Sequence, residues 1–548
     1  MKASDLFLQC LQQQGVTTMY GVPGEENADI MISLLNSKIK FITTRHEQTA
    51  AFMAGMHGLL TGIPGVCLAT LGPGATNLIT GVAQANMDHA PLVAIIGQAD
   101  TGRLHKISHQ NMDSVSMYFP VTKWATTIRE AKVIPEVIAK AFKIAVSDIP
   151  GAVLIELPED IAKEETKAKP IPIKAHHLHN ETGTTEYLYR QFLHLLADSK
   201  KPLLLLGDGA VRYECDEELK EFLKKTHLYS AYTFMGKGVV NHLYERSLHC
   251  VGLGMKDLVL NAFEASDLVI CIGYDMVEYP PERWNIGQPK KIIHIHSASA
   301  EVDQHYLPEL EMVGNIKTIL QQINAELIDM PQHHLPYFAH EQKMIQDDIC
   351  SDKEDTGFPM KPKRILNDIR NILRDEDILI SDVGAHKMWV ARQYGARQSK
   401  TCFISNGFCS MGGSIPSALE AKRLYPEKNV IAVCGDGGFM MSIQALLTGA
   451  QLGIGFVVIL WQDDFYGLIK WKQEMQYHEY SHVDLKNPDL TKLAEDYGCH
   501  AVRITETASF VPELKKALCI KDRPSVIVVP VDYSENMKLF YHLKNMAK

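Results

Sequence analysis

Three features that define other protein classes are missing from this sequence of 548 residues. None of its 11 cysteines forms a C-x-x-C pair, so a zinc site or disulfide framework is not indicated, and we expect reduced, mostly buried thiols. The net charge of −10 gives no basic footprint for nucleic acid. The most apolar run, Ile454–Trp461, is too short to span a bilayer.

Short repeats and low-complexity tracts are also missing. We expect no secretory leader, because the first residues, MKASDLFLQCLQQQG, have the pattern of an amphipathic helix. The hydrophobic share of 46% is ordinary for globular proteins and argues against disorder, collagen and coiled coil. We therefore expect a cytoplasmic enzyme of several domains that binds neither a membrane nor nucleic acid.

Short β-rich runs alternate with helical patterns in three blocks of the sequence. This alternation predicts parallel sheets covered by helices on both faces, so the expected fold class is α/β with three doubly wound parallel-sheet domains. We place these domains at residues 1–165, 187–330 and 362–535, separated by polar, Pro-bearing stretches typical of linkers. The first and third blocks resemble one architecture used twice. The predicted strands are Thr17–Tyr20, Phe41–Thr44, Val66–Thr70, Leu92–Ile96, Val153–Leu157, Pro202–Leu206, Leu268–Ile272, Lys291–Ile295, Ile378–Ser381, Val430–Cys434, Phe456–Leu460 and Ser525–Val529.

The most informative segment is NVIAVCGDGGFMMSIQALLTGAQLGIGFVVILWQDDFYG, which contains two predicted strands. Asp436 follows the first strand within the sequence GDGG, and Asp463 follows the second. In a doubly wound sheet, such strand ends converge on the ligand crevice. Glycines let the backbone approach a phosphate, and the N-terminus of the next helix, expected near Met440, favours negative charge. Two carboxylates with a diphosphate are the oxygen ligands that Mg²⁺ requires.

Two simpler interpretations of this segment fit less well. A Gly-rich turn with solvated acids leaves two acids at matched strand ends without an explanation. A nicotinamide-binding fingerprint is a poorer fit, because GDGG lacks the G-x-G-x-x-G spacing and no acid is placed for a ribose. The segment therefore favours a site for a magnesium-bound diphosphate.

A second segment, FITTRHEQTAAFMAGMHGLLTG, places an acid at the start of an apolar helix. The preceding strand ends close to His46, and Glu47 opens a helix whose other face is small and apolar. Taken alone, Glu47 is most simply a first-turn acid that the helix dipole favours. A chemical role for it depends on what the third block supplies.

Together, these two segments resemble the thiamine diphosphate enzymes of the acetolactate synthase and pyruvate decarboxylase group. Further matches follow in order along nearly the whole chain: GVPG (21–24), TLGPGATN (70–77), PLVAIIGQ (91–98), SDVGAHKMW (381–389) and SMGGSIPSA (410–418). Each match alone is weak, whereas their joint occurrence in order is specific. The resemblance implies thiamine diphosphate and Mg²⁺ as cofactors and pyruvate as a substrate.

Within that group, the sequence is most similar to catabolic acetolactate synthase. Four stretches carry this similarity: HQNMDSVSMYFPVTKW (109–124), CIGYDMVEYPPERWN (271–285), ISNG (404–407) and PVDYSEN (530–536). The biosynthetic branch contains FAD and carries an R-F-D-D-R stretch in its middle domain. This sequence lacks that stretch, so we expect no FAD. The implied reaction is the decarboxylative condensation of two pyruvate molecules to 2-acetolactate and CO₂.

The resemblance assigns coenzyme-binding residues position by position. Asp436 and Asp463 match the metal ligands, with the main-chain carbonyl of Phe465 as a third; many members have Asn in place of Asp463, but the catabolic branch has Asp. The carbonyl of Cys409 would accept from the 4′-amine of the coenzyme. Met411 matches the apolar residue that bends the coenzyme, although a lone Met is more simply core packing. The other matches, around the diphosphate, are Gly384, Ala385, His386, Gly435, Gly437 and Gly438.

Three further matches have catalytic roles. Glu47 matches the glutamate that hydrogen-bonds to N1′ of the aminopyrimidine and favours its imino tautomer, which acts as the base. Gln110 matches a glutamine that contacts the substrate, although a surface-loop amide has the same pattern. Gly24 matches a backbone donor near the reacting carbonyl.

In this group, the coenzyme lies between the first domain of one subunit and the third domain of another. The resemblance therefore implies a homodimer or homotetramer with shared active sites, and a structural role for the central domain. Other enzymes of the group remain alternatives: biosynthetic acetohydroxy acid synthase, 2-keto acid decarboxylase and pyruvate oxidase. A binding or regulatory subunit without coenzyme is a further alternative, against which the intact Glu47, Asp436 and Asp463 argue.

Overall fold

The computed structural model describes residues 1–172, 181–253, 257–328, 335–536 and 539. Within these residues, the strands form three six-stranded sheets in which all neighbouring strands are parallel. This confirms the predicted fold class. Residues 254–256 and 329–330 of the predicted second domain lie outside the described residues, and the three domain limits stay predictions.

The first sheet has the strand order β2-β1-β3-β4-β6-β5. Its strands are β1 Thr18–Gly21, β2 Lys40–Thr43, β3 Gly65–Ala69, β4 Leu92–Gln98, β5 Trp124–Thr127 and β6 Ala152–Pro158. The helices of this region are α1 Ala3–Gln13, α2 Ala28–Leu34, α3 Glu47–Thr61, α4 Pro73–Met87, α5 Ser114–Tyr118, α6 Ile134–Val146 and α7 Glu159–Lys163. Short 3₁₀ turns lie at Glu25–Asn27, Thr101–Arg103, Phe119–Val121 and Ala131–Val133.

The central sheet has the order β12-β11-β10-β7-β8-β9, which is typical of dinucleotide-binding domains. Its strands are β7 Pro202–Leu206, β8 Tyr229–Tyr232, β9 Ser247–Cys250, β10 Leu268–Ile272, β11 Lys291–His296 and β12 Leu310–Val313. The helices of this region are α8 Glu186–Asp198, α9 Asp208–Arg212, α10 Asp216–Thr226, α11 Leu258–Ala265, α12 Pro281–Trp284, α13 Ile316–Glu326 and α14 Ala339–Cys350.

The third sheet has the order β14-β13-β15-β16-β18-β17 and so repeats the topology of the first sheet. Its strands are β13 Ile378–Ser381, β14 Cys402–Ile404, β15 Val430–Gly435, β16 Val457–Gln462, β17 His500–Arg503 and β18 Ser525–Pro530. The helices are α15 Pro362–Ile372, α16 Ala385–Gln393, α17 Ser414–Leu424, α18 Asp436–Ser442, α19 Gln444–Leu452, α20 Gly467–Tyr477, α21 Leu490–Asp496 and α22 Thr507–Cys519. This repetition agrees with the expectation that one architecture is used twice.

Strands in the sheet interiors are apolar at consecutive positions because helices cover both faces. In β3, Val66 and Leu68 belong to the apolar cluster that includes α1 and α6, whereas Cys67 and Ala69 belong to the cluster that includes α3 and α4. Successive side chains of a strand point to opposite faces, so burial on both faces requires a continuous apolar run.

The first and third regions pack against each other through α3 and α17. Small side chains of both helices, among them Ala54 and Ala418, belong to one buried apolar cluster. Within this apolar contact, the fully buried carboxylate of Glu420 accepts a hydrogen bond from Tyr20 Oη at 2.6 Å and from Arg423 at 2.7 Å. His57 Nδ1 lies 3.0 Å from the same carboxylate. A buried polar cluster therefore fixes how the two regions meet within one chain.

The cysteines and the helices bear on two further expectations. All 11 cysteines lie in the described part of the chain as free thiols, and most of them are buried, as expected. No helix among the described residues combines the length and the apolar composition needed to cross a bilayer.

Candidate active site

Three carboxylates stand at the carboxyl ends of adjacent strands in the third sheet. Asp382 follows β13, Asp436 follows β15 and Asp463 follows β16, and these strands pair in parallel register. The helix that we expected near Met440 begins at Asp436 instead. Glycine has low helix propensity, which hid this first turn, but an acid in the first turn offsets that cost.

A cleft of about 540 Å³, counted to its open mouth, lies at this edge of the sheet. Every coenzyme-binding residue suggested by the resemblance lines it, except Cys409. The structure therefore brings together residues that are far apart in sequence. These lining residues are Gly384, Ala385, His386, Met411, Gly435, Asp436, Gly437, Gly438, Asp463 and Phe465.

Asp436 is held by main-chain and side-chain donors. One of its carboxylate oxygens accepts from the N–H of Gly437 at 2.9 Å, and the other accepts from the N–H of Asp464 and from Asn487 Nδ2, both at 2.8 Å. Phe465, whose carbonyl is the third suggested ligand, forms a β-bridge with Asp484. The loop after β16 is thus fastened beside Asp436.

Electrostatics at this edge favour a cation. Burial raises the pKa of Asp436 to about 6, against the opposing hydrogen bonds. Burial, and then the negative charge of Asp436, raises the pKa of Asp463 to about 7. Two buried carboxylates that repel each other gain most from a shared positive charge between them.

Two glycines of the GDGG turn have no space for a side chain. A Cβ on Gly437 would lie 2.8 Å from the ring of Tyr466, and one on Gly438 would lie 2.8 Å from the carboxylate of Asp382. Neither position tolerates a larger residue without a shift of its surroundings. Both positions at the start of α18 therefore require glycine, and the N-terminus of a helix favours an anion.

The opposite wall of the cleft comes from α16 and from the loop before α17. His386 is buried, burial lowers the pKa of its imidazole to about 3, and its Nε2 has no hydrogen-bond partner among the described residues. Asp382 accepts hydrogen bonds from the N–H of Gly412 and from Ser414 Oγ, so it holds the loop that carries Met411. Cys409 lies in the same loop, outside the cleft lining.

Glu47 lies at the first sheet, as the first residue of α3. His46 caps this helix, since its Nδ1 accepts from the N–H of Gln48 at 3.1 Å. The Glu47 side chain is 8% exposed and accepts a hydrogen bond from Asn77 Nδ2 at 3.1 Å. A carboxyl group is thus fixed at the helix N-terminus among small apolar residues.

Gly24 and Gln110 lie around the turn 70–72 that leads into α4, the helix that supplies Asn77. A Cβ on Gly24 would lie 2.4 Å from the side chain of Thr70, and one on Gly72 would lie 2.7 Å from the carbonyl oxygen of Gln110. Gly72 also has a φ of +52°, which favours glycine. The three residues suggested as catalytic therefore gather at one edge of the first sheet.

These two groups of residues have different hydrogen-bond partners within one chain. The described contacts of Glu47 are with residues of the first region, and those of Asp436 are with residues of the third. Among the residues that the structure describes, no hydrogen bond links the two groups. We refer to each of these two groups as a half-site.

Sequence reasoning missed two residues that shape the cleft. Asp382 could have been found, since it follows a predicted strand as Asp436 and Asp463 do. No sequence pattern marks Asn487, because it lies in an irregular stretch between α20 and α21. Only the folded chain brings its amide to Asp436.

Comparison with known families matches all three regions of the chain. Residues 1–117 match the thiamine pyrophosphate enzyme N-terminal TPP binding domain, residues 189–323 match the central domain, and residues 382–529 match the C-terminal TPP binding domain. The three matches follow the order of the three sheets. They agree with the two half-sites at the first and third sheets.

Curated relatives are similar over nearly the whole length. Acetolactate synthase of Bacillus subtilis is 32% identical over 98% of this chain and 94% of its own. Catabolic acetolactate synthase of Raoultella terrigena is 32% identical over 98% of this chain and 97% of its own length. A probable acetolactate synthase large subunit of Methanocaldococcus jannaschii is 30% identical over 98% and 93%. The resemblance found in the sequence is confirmed, and the chain belongs to the acetolactate synthase family of thiamine pyrophosphate enzymes.

Proposed function

We propose that this protein condenses two molecules of pyruvate to 2-acetolactate and CO₂, with thiamine diphosphate and Mg²⁺ as cofactors. The observation that carries this proposal is the cleft at the carboxyl ends of β13, β15 and β16. It gathers two carboxylates, a glycine cradle and an apolar Met411 in one place. Similarity to acetolactate synthases over 98% of the chain supports the reaction.

The residues present fit a magnesium-bound diphosphate. Asp436, Asp463 and the carbonyl of Phe465 supply oxygen ligands, and the diphosphate and water would complete the octahedron that Mg²⁺ prefers. The glycine backbone at the start of α18 offers N–H donors to the phosphates. His386 lines the cleft, and its Nε2 is buried and has no partner among the described residues, so it is free to bind a polar ligand at this edge.

The chain's own residues have separable roles in the proposed reaction. When bound, thiamine diphosphate supplies a carbon nucleophile and an electron sink for the decarboxylated substrate. Glu47 holds a proton at N1′ of the aminopyrimidine, and its small apolar neighbours keep water away from that proton. Met411 would lie against the coenzyme, and the carbonyl of Cys409 would accept a hydrogen bond from it. Gln110 would orient the substrate. The N–H of Gly24, the other donor that the resemblance suggests, donates to Asn27 Oδ1 at 2.9 Å.

We also propose that the active site is shared between two copies of the chain in a homodimer or homotetramer. The two half-sites within one chain have no described hydrogen bond between them. Apolar side chains next to the cleft are exposed in the isolated chain, namely Met440, Met441 and Ile469. Exposed apolar groups in such a cluster are typical of a protein interface.

Product analysis tests the proposed reaction. Purified protein is incubated with pyruvate, thiamine diphosphate and Mg²⁺, and the products are identified by nuclear magnetic resonance. We expect 2-acetolactate and CO₂ in equal amounts, and no turnover after removal of Mg²⁺ with a chelator. Acetaldehyde or acetate as the only organic product would contradict the proposal. An absorbance scan of the same sample tests the further proposal that no flavin is bound.

A further inference from the structure

The segment 405–413, which we name the coenzyme loop, joins β14 to α17. Under the proposed function, it presents the Cys409 carbonyl and the Met411 side chain to the coenzyme. Cys409 has a φ of +60°, a left-handed conformation that non-glycine residues rarely adopt. Such a conformation persists only where surrounding contacts hold it. The contacts of this loop therefore decide where two coenzyme-binding groups lie.

The first region of the chain holds the loop at Gly407. The N–H of Gly407 donates to Asp88 Oδ1 at 3.0 Å, and Asp88 directly follows α4. A Cβ on Gly407 would lie 2.3 Å from the carbonyl oxygen of Met87. The loop thus runs against the end of α4 with no space between them.

Asn406 fastens the loop to the central region and to α16. Its Nδ2 donates to the carbonyl oxygen of Glu278 in the central region. Its Oδ1 accepts from Lys387 Nζ, in α16, at 2.6 Å. The same ammonium nitrogen lies 3.2 Å from Cys409 Sγ. One side chain therefore joins the loop to the central region and to the cation that also contacts Cys409.

Two buried ionisable groups, Lys387 and Asp88, adjoin the loop. Lys387 is 5% exposed, and its ammonium group also lies 5.4 Å from the centre of the Phe234 ring. Burial raises the pKa of Asp88, while its hydrogen bonds with the loop and the charge of Lys387 oppose that rise. Asn406 uses both ends of its amide, since it accepts from Lys387 and donates to the carbonyl of Glu278. A hydrocarbon side chain at this position would leave the ammonium group short of an acceptor.

We propose that Asn406 is a positioning residue for the coenzyme, acting through the loop and not by touching the coenzyme. Among the described residues, neither Asn406 nor Lys387 lines the cleft that holds Asp436 and Asp463. The inference rests on the proposed function, because it takes that cleft to be the coenzyme site. Groups that orient a ligand-binding residue from behind change affinity or activity about ten- to a hundredfold when they are removed.

The variant Asn406→Ala separates this role from simple structural support. We expect the dissociation constant of thiamine diphosphate, measured with Mg²⁺ by quenching of tryptophan fluorescence, to rise about ten- to a hundredfold. The KM for pyruvate at saturating coenzyme should change little. Asn406→Asp keeps the acceptor for Lys387 and loses the donor to Glu278, so its dissociation constant should lie between those of the wild type and Asn406→Ala.

Asn315→Ala is the matched control. Asn315 also uses its amide oxygen, which accepts from the N–H of Thr318 at 3.1 Å at the start of α13. This control should lower the melting temperature and leave the dissociation constant of thiamine diphosphate unchanged.

Two results would overturn the inference: an unchanged dissociation constant in Asn406→Ala, or equal effects of Asn406→Ala and Asn315→Ala. If Asn406→Ala does not fold, the isosteric Asn406→Asp decides between the same outcomes. A wild-type protein that binds no thiamine diphosphate would instead overturn the proposed function together with this inference, so the two failures can be told apart.

Discussion

The first and third sheets have the same strand order but carry different chemistry at corresponding positions. In the third sheet, carboxylates follow the three strands β13, β15 and β16. In the first sheet, the corresponding strands β1 and β3 are followed by turns that contain glycine, and β4 is followed by Ala99. A buried acid, Glu47, lies after β2 at the start of α3. The topology sets where strand ends meet, and the residues after each strand set what can bind there.

This comparison explains why two half-sites complement each other. The third sheet provides negative charge for a cation and a glycine cradle for a phosphate. The first sheet provides Glu47, a buried carboxyl group at a helix N-terminus. A coenzyme with a charged diphosphate at one end and a neutral ring at the other matches these two edges. Duplicated topology with diverged loops thus produces two different binding surfaces.

The largest effect on turnover is expected when Glu47 is replaced by a residue that cannot exchange a proton. Glu47→Gln keeps the size of the side chain and a hydrogen bond with Asn77, but it cannot exchange a proton. We expect turnover of pyruvate to fall by about 10²–10⁴-fold, while the affinity for thiamine diphosphate stays near that of the wild type. Initial rates and coenzyme titrations measure both quantities.

Glu186→Gln is the control for this change, since Glu186 is also the first residue of a helix but is exposed. It should leave turnover unchanged. Mixing experiments sharpen the comparison further, because hybrid dimers of Glu47→Gln and Asp436→Ala chains contain one intact site if the site is shared. No recovery of turnover in verified hybrids would contradict the shared site.

A smaller effect is expected when one carboxylate of the third sheet is removed. Asp463→Ala takes away one of two carboxylate ligands, so we expect the Mg²⁺ concentration for half-maximal activity to rise by about a hundredfold. Titration of activity with Mg²⁺ at saturating thiamine diphosphate measures this. Asp489→Ala is the matched control: it removes the N-cap acid of α21 and should cost about 1 kcal/mol of stability without changing the Mg²⁺ requirement. An unchanged requirement in Asp463→Ala would exclude it as a ligand.

The sequence predicts the interior of the fold well and its edges poorly. All 12 strands predicted from apolar runs are present, with ends displaced by no more than two residues. Six further strands were not predicted: β5, β8, β9, β12, β14 and β17. All of these except β8 are sheet edges. Edge strands such as β5, Trp124–Thr127, are only half-buried and need no continuous apolar run, so the pattern that marks interior strands is missing there.

Site residues divide in a similar way. Residues directly after interior strands, such as Asp436 and Asp463, could be placed because strand ends converge in any doubly wound sheet. Asn406 and Asn487 could not be placed, since loop conformations bring them to their partners. Glu420 looks like a solvent-exposed acid in a helix, and only the packing of α17 on α3 makes it buried.

The smallest effect is expected at Glu420, where the first and third regions of one chain pack against each other through α3 and α17. Burial would raise the pKa of Glu420, but hydrogen bonds and charges from Arg423 and His57 outweigh burial and lower it below the ordinary 4.5. The folded protein therefore binds fewer protons than the unfolded chain as the pH falls through 4.5. The stability that this carboxylate contributes is full above that pH and is lost below it.

Glu420→Gln removes this charge and keeps an oxygen acceptor for Tyr20. We expect the free energy of unfolding at neutral pH to fall by about 1–3 kcal/mol, measured from denaturant midpoints. The difference from the wild type should shrink as the pH falls below 4.5, because protonation removes the same charge from the wild type. Glu427→Gln, at an exposed position just beyond α17, should show neither change. If the difference in the free energy of unfolding stays constant across this pH range, the cluster contributes through packing and not through the charge of Glu420.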